Sequence, residues 1–257
     1  MLPSNSLSIE NSVDEAVEFR QKLADIEVPL SVVVTHASYL INLASTDPEI
    51  FAKSRMALRA NIEAAVMLGA KGVVLHVGSH KGLGLDAVVK QIAESIAEVL
   101  EFLGSGCRLL LENTAGQGGS VGVGFDELHT IMNALNSDER VGICLDTQHL
   151  FASGTSYSTI DEADQVVRLI GEIVGIDRLG CIHLNDSKVA LGSFRDRHEN
   201  LDEGFIGGSA LACLISHPDL CNKPIILEVP GDGSGPRESD IKLARRLLNE
   251  GLEFRHH

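Results

Sequence analysis

The sequence predicts an α/β fold in which parallel β-strands alternate with helices. Three observations support this prediction: short runs rich in Val, Ile and Leu recur along the chain, amphipathic segments separate them, and 257 residues suit one large α/β domain. Continuous apolar runs are typical of strands that are buried on both faces of a sheet. The six predicted strands are residues 30–36, 72–76, 107–112, 141–146, 179–183 and 224–228.

Helices are predicted between and around these strands. Several begin with an acidic residue in the first turn, including Asp14, Asp86, Asp126 and Asp161, as favoured at helix N-termini. The predicted helices lie near residues 13–25, 49–69, 86–103, 125–136, 161–175, 208–216 and 238–249. Right-handed crossovers would then give a parallel sheet, either open or closed as a barrel. No linker or low-complexity segment interrupts the pattern, so we predict a single domain over residues 1–257.

The charge of the chain limits the kind of partner it can bind by bulk electrostatics. A formal net charge of −15 argues against a protein that wraps nucleic acid with a basic surface. Bound divalent cations would still concentrate positive charge at one place on an acidic body, so metal chemistry remains compatible with this composition.

Targeting signals and cysteine usage predict a cytoplasmic protein. The sequence has no run of about 18 apolar residues, which a transmembrane helix requires. Its first residues lack the basic region and apolar run of a secretory signal. The five cysteines form no CxxC pair, and three of them lie in or beside apolar strand-like runs, where they are interpreted as small buried hydrophobic residues; a reducing compartment is expected.

Every predicted strand ends in a side chain that can bind a metal ion. These six residues are His36, His76, Glu112, Asp146, His183 and Glu228, spaced 34 to 45 residues apart, which is about one β-α unit. In a barrel, the C-terminal strand ends converge on one rim, where the active site lies. Any one of them is unremarkable as a buried strand-end residue, but three carboxylates buried together without cations would be costly. The set therefore predicts a metal site.

Three further candidate ligands lie on loops just beyond those strands. His149 follows Asp146 by three residues, and Asp196 and His198 lie in the longest gap between strands. Imidazole nitrogens and carboxylate oxygens without cysteine favour Zn²⁺ or Mn²⁺ over an ion that prefers thiolates.

The segments that contain these residues also form recognisable motifs. They are HASYLINL at 36–43, HVGSH at 76–80, ENTAGQG at 112–118, DTQH at 146–149, HLNDSK at 183–188 and DRH at 196–198. In this order they closely resemble the endonuclease IV family of apurinic/apyrimidinic endonucleases, whose members are TIM-type (β/α) barrels of the xylose isomerase-like superfamily. The resemblance extends from about His36 to Glu228.

The resemblance implies three zinc ions per chain. His36 and His76 would hold one ion, and Glu112 would bridge it to a second. Asp146, His183 and Glu228 would complete the coordination of the second ion. The third would be held by His149, Asp196 and His198. Glu112 is the predicted catalytic residue, because it spaces the pair of ions that positions the attacking hydroxide.

The same resemblance implies DNA as the substrate. Family members hydrolyse the phosphodiester 5′ to an abasic site in double-stranded DNA and leave 3′-hydroxyl and 5′-deoxyribose phosphate ends. Tyr39 and Leu40 match side chains that contact DNA around the extruded nucleotide, which suits an aromatic-apolar pair. Arg195, Arg197 and Lys188 are expected to meet phosphates. We expect a monomer with no membrane partner.

The chain departs from the family pattern before His36. Residues 1–27 contain one predicted helix and no clear strand, whereas an eight-stranded barrel needs two more strands there. We therefore expect an incomplete barrel with six of the eight strands, and unpaired edges at the strands that end in His36 and Glu228.

Two other functions are compatible with the sequence. A xylose isomerase-like sugar isomerase or epimerase would use the same barrel with one or two divalent metals, and it would not need His149, Asp196 and His198. An inactive, truncated metal-binding module would retain metal without cleaving DNA. Metal stoichiometry separates the first alternative from a nuclease, and an incision assay separates the second.

Overall fold

The fold is organised around one parallel sheet. In this computed structural model, which describes residues 9–256, the strands are β1 (Val34–His36), β2 (Gly72–Leu75), β3 (Arg108–Glu112), β4 (Val141–Asp146), β5 (Leu179–Leu184), β6 (Asp186–Ser187), β7 (His198–Glu199) and β8 (Ile225–Leu227). Among these described residues, six strands pair in parallel in the order β1-β2-β3-β4-β5-β8. The sheet curls into part of a TIM-type barrel, as predicted. β6 and β7 form a separate antiparallel pair.

Helices connect the strands and cover the outer face of the sheet. They are α1 (Ile9–Asp25), α2 (Pro48–Leu68), α3 (Val89–Leu100), α4 (Phe125–Ala134), α5 (Thr147–Ala152), α6 (Ile160–Ile173), α7 (Gly208–Ile215) and α8 (Glu238–Phe254). Local sequence defines their ends. Asp47 accepts hydrogen bonds from the first amides of α2, and Gly69 ends this helix with φ of +80°, a conformation that glycine adopts without strain. No described helix is both long and apolar enough to cross a membrane.

Side chains alternate between two apolar layers along each strand. The outer layer lies between the sheet and the helices and contains residues such as Leu75, Leu109 and Ile143. A much smaller inner layer fills the barrel interior with Val74, Leu110, Cys144 and Cys181. Because successive strand residues face opposite sides, the residue two positions after an inner-layer residue also points inward. This alternation decides which strand-end side chains reach the site.

The barrel is open between β1 and β8. These two strands form the edges of the sheet, and within residues 9–256 no other strand pairs with their outer sides. At this opening the His36 side chain is 32% exposed and that of Glu228 is 28% exposed. The predicted six-stranded, incomplete barrel is confirmed.

The predicted start of the first strand is wrong. Residues Leu30–Val32 form a 3₁₀ turn, and the strand begins only at Val34. The turn follows Pro29, whose carbonyl accepts a hydrogen bond from the Val32 amide at 3.2 Å. A local turn has therefore replaced pairing at the start of this edge strand.

Candidate metal centre

The six predicted strand-end residues meet at the C-terminal rim of the sheet. His36, Glu112 and Asp146 are the last residues of β1, β3 and β4, and His183 lies within β5. His76 and Glu228 follow the ends of β2 and β8 by one residue. Each lies two positions after an inward-facing residue, so all six side chains point into the barrel mouth.

Glu112 lies at the centre of this group. Its side chain is fully buried, and its Oε2 is 3.0 Å from His36 Nε2 and 3.2 Å from His76 Nε2. Its Oε1 is 2.9 Å from His183 Nδ1. Burial opposes ionisation, but the charge of His76 and hydrogen bonds from neighbouring imidazoles hold the pKa of Glu112 well below its usual range. One carboxylate therefore contacts imidazoles on both of its oxygens.

Two sets of ligand atoms share Glu112. In each set the candidate atoms lie within 4.8 Å of one another: His36, His76 and Glu112 form one, and Glu112, Asp146, His183 and Glu228 form the other. Both sets offer only nitrogen and oxygen donors, in the numbers that zinc accepts. The structure thus brings together the residues that the sequence predicts for the first two ions.

A short helix brings His149 into contact with Asp146. Asp146 caps α5, because its Oδ1 accepts a hydrogen bond from the His149 amide at 2.7 Å. The same oxygen lies 3.4 Å from His149 Nδ1, since residues three apart on a helix share a face. α5 was not predicted, because its six residues are too few to show a helical period.

The β6–β7 hairpin supplies the remaining two candidates. His198 begins β7, and Asp196 lies on the loop just before it. Asp196 Oδ2 is 3.3 Å from His149 Nε2, and its Oδ1 is 3.2 Å from His198 Nε2. His149 and His198 also form a compact set with Asp146, within 4.8 Å. The compact third set is thus Asp146, His149 and His198, with Asp196 in contact with both imidazoles, whereas the sequence assigned Asp146 only to the second ion.

Several imidazoles are oriented with one nitrogen directed into the centre. His36 Nδ1 donates to the carbonyl of Ala37 at 2.7 Å, and His198 Nδ1 donates to the carbonyl of Glu228 at 3.0 Å, which leaves Nε2 of both rings facing the carboxylates. His149 Nδ1 and His198 Nε2 are buried and have no hydrogen-bond partner among the described residues. Unpartnered buried nitrogens beside carboxylates are what a metal site requires of its ligands. The residues fit divalent cations.

The carboxylates strongly alter the protonation of these imidazoles. Burial would lower the pKa of His183, but its hydrogen bond with Glu112 and the nearby negative charges raise it to about 10. Burial would also lower the pKa of His198, but Asp196 and Asp146 raise it to about 9. His76 differs, because burial dominates and its pKa is lowered. The metal-free centre therefore holds extra protons at neutral pH.

Two buried asparagines hold Asp146 in place. Neither was predicted from the sequence. Asn185 Nδ2 donates to Asp146 Oδ2 at 2.7 Å, and its Oδ1 accepts from the Gln148 amide at 2.8 Å. Asn113 bonds both backbone groups of Asp146, accepting from its amide at 2.7 Å and donating to its carbonyl at 3.1 Å. Asn113 directly follows Glu112, and Asn185 follows His183 by two residues, so both lie within the motifs quoted above. An asparagine within two residues of a strand-end ligand was the sequence signal that could have identified them.

Replacing Asn185 with Ala is expected to weaken metal binding by about 10- to 100-fold, the usual effect of removing an outer-shell partner. The variant leaves Asp146 Oδ2 without its donor, so the carboxylate loses its fixed orientation. Competition for zinc with a chromophoric chelator measures the change. Asn200→Ala is the matched control, because the Asn200 amide bonds Glu203 and Gly231 instead of a candidate ligand. Equal affinities for the two variants would contradict the role given to Asn185.

The predicted DNA-contacting residues lie on the rim around the centre. A cavity of about 310 Å³ is lined by Tyr39, His76, His149 and Asp196 among others. Tyr39 and Leu40 are 79% and 71% exposed. A larger groove of about 530 Å³ lies between β8 and α8, but no histidine or carboxylate lines it. The smaller cavity is therefore the candidate site.

The three predicted phosphate contacts are also exposed. Arg195 and Arg197 flank Asp196, and Lys188 begins the same loop, where its Nζ lies 4.0 Å from a Glu199 carboxylate. Phe194, which the sequence analysis did not single out, is 51% exposed on this loop. The loop thus carries basic and aromatic side chains next to a candidate ligand.

Comparisons with known proteins identify the family. The family model described as "Xylose isomerase-like TIM barrel" matches residues 3–251. A probable endonuclease 4 of Halothermothrix orenii is 40% identical over 218 residues, which cover 85% of this chain and 78% of the relative. A probable endonuclease 4 of Staphylococcus carnosus is 42% identical over 205 residues, or 79% of this chain and 68% of the relative.

Solved structures agree with these sequence relatives. Endonuclease IV from Thermus thermophilus superposes with a TM-score of 0.77 and 33% identity, covering 96% of this chain and 84% of that chain. A D-tagatose 3-epimerase-like protein superposes with a TM-score of 0.68 at 21% identity, covering 96% of this chain and 84% of that chain, and this shows the shared fold alone. The chain belongs to the endonuclease IV family of xylose isomerase-like TIM barrels.

Proposed function

We propose that this protein is a zinc-dependent DNA repair endonuclease that hydrolyses the phosphodiester 5′ to an abasic site. The products would carry 3′-hydroxyl and 5′-deoxyribose phosphate ends. One observation carries the proposal: a fully buried Glu112 joins two sets of candidate ligands, and a third set of Asp146, His149 and His198 lies beside them, with Asp196 in contact with both imidazoles. Three adjacent sets are more than a single-ion Lewis acid site requires.

The proposed ligand assignment follows these sets. His36, His76 and Glu112 would hold the first ion, and Glu112, Asp146, His183 and Glu228 the second. His149, Asp196 and His198 would hold the third, with Asp146 within reach of both of these imidazoles. Zinc would supply positive charge to an anionic phosphodiester and hydroxide at neutral pH, and Mn²⁺ would be a feasible substitute.

The chain's own residues would orient the ions and the DNA. Glu112 presents one oxygen to each of two neighbouring sets, so it would fix their separation. Tyr39 and Leu40 are exposed beside the cavity and suit filling the gap left in a base stack by an extruded nucleotide. Arg195, Arg197 and Lys188 would meet phosphates and locally offset the chain's net charge of −15. We propose a cytoplasmic monomer acting on double-stranded DNA.

The decisive experiment is incision of a duplex with one abasic site. We expect cleavage 5′ to the lesion, a product that a DNA polymerase extends because its 3′ end is a hydroxyl, and loss of cleavage after chelation that added zinc restores. An undamaged duplex of the same sequence is the control. Retention of metal without any incision would favour an inactive metal-binding module instead.

Metal stoichiometry tests the alternative of a sugar isomerase or epimerase. About three zinc ions per chain are expected from the three ligand sets, whereas the alternative needs one or two. Elemental analysis of the loaded protein counts them. Replacing Asp196 with Ala should weaken the binding of one ion of the three, because among the candidate ligands Asp196 contacts only His149 and His198, while these imidazoles keep Asp146 as a neighbour.

Zinc binding is expected to release at least two protons per chain at pH 7.5. Burial opposes protonation of His149, but Asp146, Asp196 and Glu112 raise its pKa well above the usual value, so this ligand adds to the release. His183 and His198 have raised pKa values, about 10 and about 9, so both are protonated at pH 7.5 in the metal-free chain and must become neutral to bind metal. Zinc affinity should therefore increase as the pH rises towards 9 and 10, and the proton release should fall there. Calorimetric titrations in buffers of different ionisation enthalpy measure this release. A buffer-independent enthalpy would contradict the assignment.

A further inference from the structure

Two cysteines lie in contact inside the barrel, directly beneath the candidate metal centre. The Sγ atoms of Cys144 and Cys181 are 3.5 Å apart, and both side chains are fully buried. The two residues are register partners on the neighbouring strands β4 and β5. Adjacent strands run about 4.8 Å apart, which falls within the Cα–Cα range that a disulfide spans.

The packing around this pair does not require sulfur. Its neighbours in the inner layer are the aliphatic residues Val74 and Leu110, with Val34 and Ile226 packed against them. Either cysteine position would accept a small aliphatic side chain in such a layer. The two neighbouring thiols therefore offer reactivity that packing alone does not need.

The open side of the barrel borders this layer. Val34 lies on β1 and Ile226 on β8, the two edge strands, and both side chains are only partly buried. In a closed barrel this layer would be shielded on every side by strands. The opening between β1 and β8 therefore distinguishes this interior pair from thiols in a sealed core.

We infer that Cys144 and Cys181 form an intramolecular disulfide when the protein meets a hydroperoxide. One thiol attacks the peroxide oxygen, which breaks the O–O bond, gives a sulfenic acid and releases water from hydrogen peroxide. The second thiol then attacks the sulfenic sulfur, so that the S–S bond forms and its proton leaves with the hydroxyl group as a second water. A thiol reductant reverses the reaction.

The disulfide would also affect the metal centre, and this part rests on the proposed function. Forming a bond of about 2.05 Å draws the two sulfurs about 1.5 Å closer than the present 3.5 Å. Asp146 and His183 lie two residues further along the same strands and are themselves register partners. Rotation of the two cysteine side chains, with any shift of β4 or β5 that accompanies it, would change the packing beneath two candidate ligands, and the oxidised protein should hold less zinc.

Intact mass and peptide mapping test the disulfide in the folded, metal-free chain. After hydrogen peroxide treatment we expect a loss of about 2 Da, a non-reduced peptide pair joining Cys144 to Cys181, and full reversal by dithiothreitol. Free thiols titrated after denaturation should fall from the five cysteines to three, because two form the bond. Cys181→Ser and Cys144→Ser should prevent cross-linking, whereas Cys107→Ser, a buried thiol outside the pair, should not.

Specific results would overturn the inference. Oxidation confined to the partly exposed Cys221, or separate oxygen additions at Cys144 and Cys181 without a cross-link, would exclude the disulfide. Zinc retention separates the remaining possibilities: a cross-linked protein with unchanged zinc content would exclude only the coupling to the metal centre. Failure of the reduced wild-type protein to bind zinc would instead count against the proposed function. The melting temperature of the Ser variants confirms that they fold.

Discussion

The Glu112→Gln variant is expected to lose abasic-site incision by a factor of at least about 1000, the upper range for removing one electrostatic contact at a reacting centre. Among the described residues, Glu112 is the only carboxylate within 4.0 Å of ring nitrogens of all three of His36, His76 and His183. The amide keeps the shape of the side chain but removes the negative charge that the proposed bridge between two cations would need. Single-turnover incision and elemental analysis measure the loss of activity and of metal.

A control variant at a partly buried glutamate separates this effect from the general consequences of replacing a hydrogen-bonded glutamate. Glu127 accepts hydrogen bonds from the amides of Gly122 and Val123 at 2.7 and 3.2 Å and has no contact with the centre. Glu127→Gln should therefore retain zinc and activity. Both variants should keep the far-ultraviolet circular dichroism of the wild type. Near-wild-type incision by Glu112→Gln would refute the central role of this carboxylate.

Removing the metal is expected to lower the melting temperature by about 8 to 16 °C. Free zinc at about 1000 times its dissociation constant stabilises the folded state by about 4 kcal/mol, and each kcal/mol shifts the melting temperature of a protein of this size by about 2 to 4 °C. The centre contains fully buried carboxylates at Glu112 and Asp146, whose charges need compensation. Differential scanning calorimetry with zinc or with a chelator measures the shift.

The Glu112→Gln variant again provides the internal comparison. It should show a much smaller zinc-dependent shift than the wild type, because two of the three ligand sets include Glu112. Equal shifts in the two proteins would mean that zinc stabilises the fold at some other place.

The strands and the strand-end residues could be predicted from sequence because their signals are local. The run 141–146 is continuously apolar up to Asp146, and the observed β4 has the same bounds. The rule that parallel strand ends converge then placed distant residues such as His36 and His183 together. This inference needed no knowledge of loop conformation, and the structure brings these side chains into one cluster.

The loops and the supporting contacts could not be predicted in the same way. The β6–β7 hairpin pairs Asp186 and Ser187 with Glu199 and His198 across a loop. Strands of two residues are too short to show a periodic pattern in the sequence. The amide contacts of Asn113 and Asn185 depend on the relative position of β3, β4 and β5. Leu30–Val32 has the composition of a strand, but the structure forms a 3₁₀ turn there. Non-local geometry decides all three features.

The gap between β1 and β8 gives the centre a second approach for water, from the side as well as from the rim. His36 and Glu228 stand at this gap and are about one-third exposed, whereas His149 is 2% exposed and Asp146 is fully buried. Ligand exchange at a metal depends on how readily solvent reaches it. An ion coordinated by His36 or Glu228 would therefore exchange with the bulk from two directions, even though the neighbouring ligands Glu112 and Asp146 are fully buried.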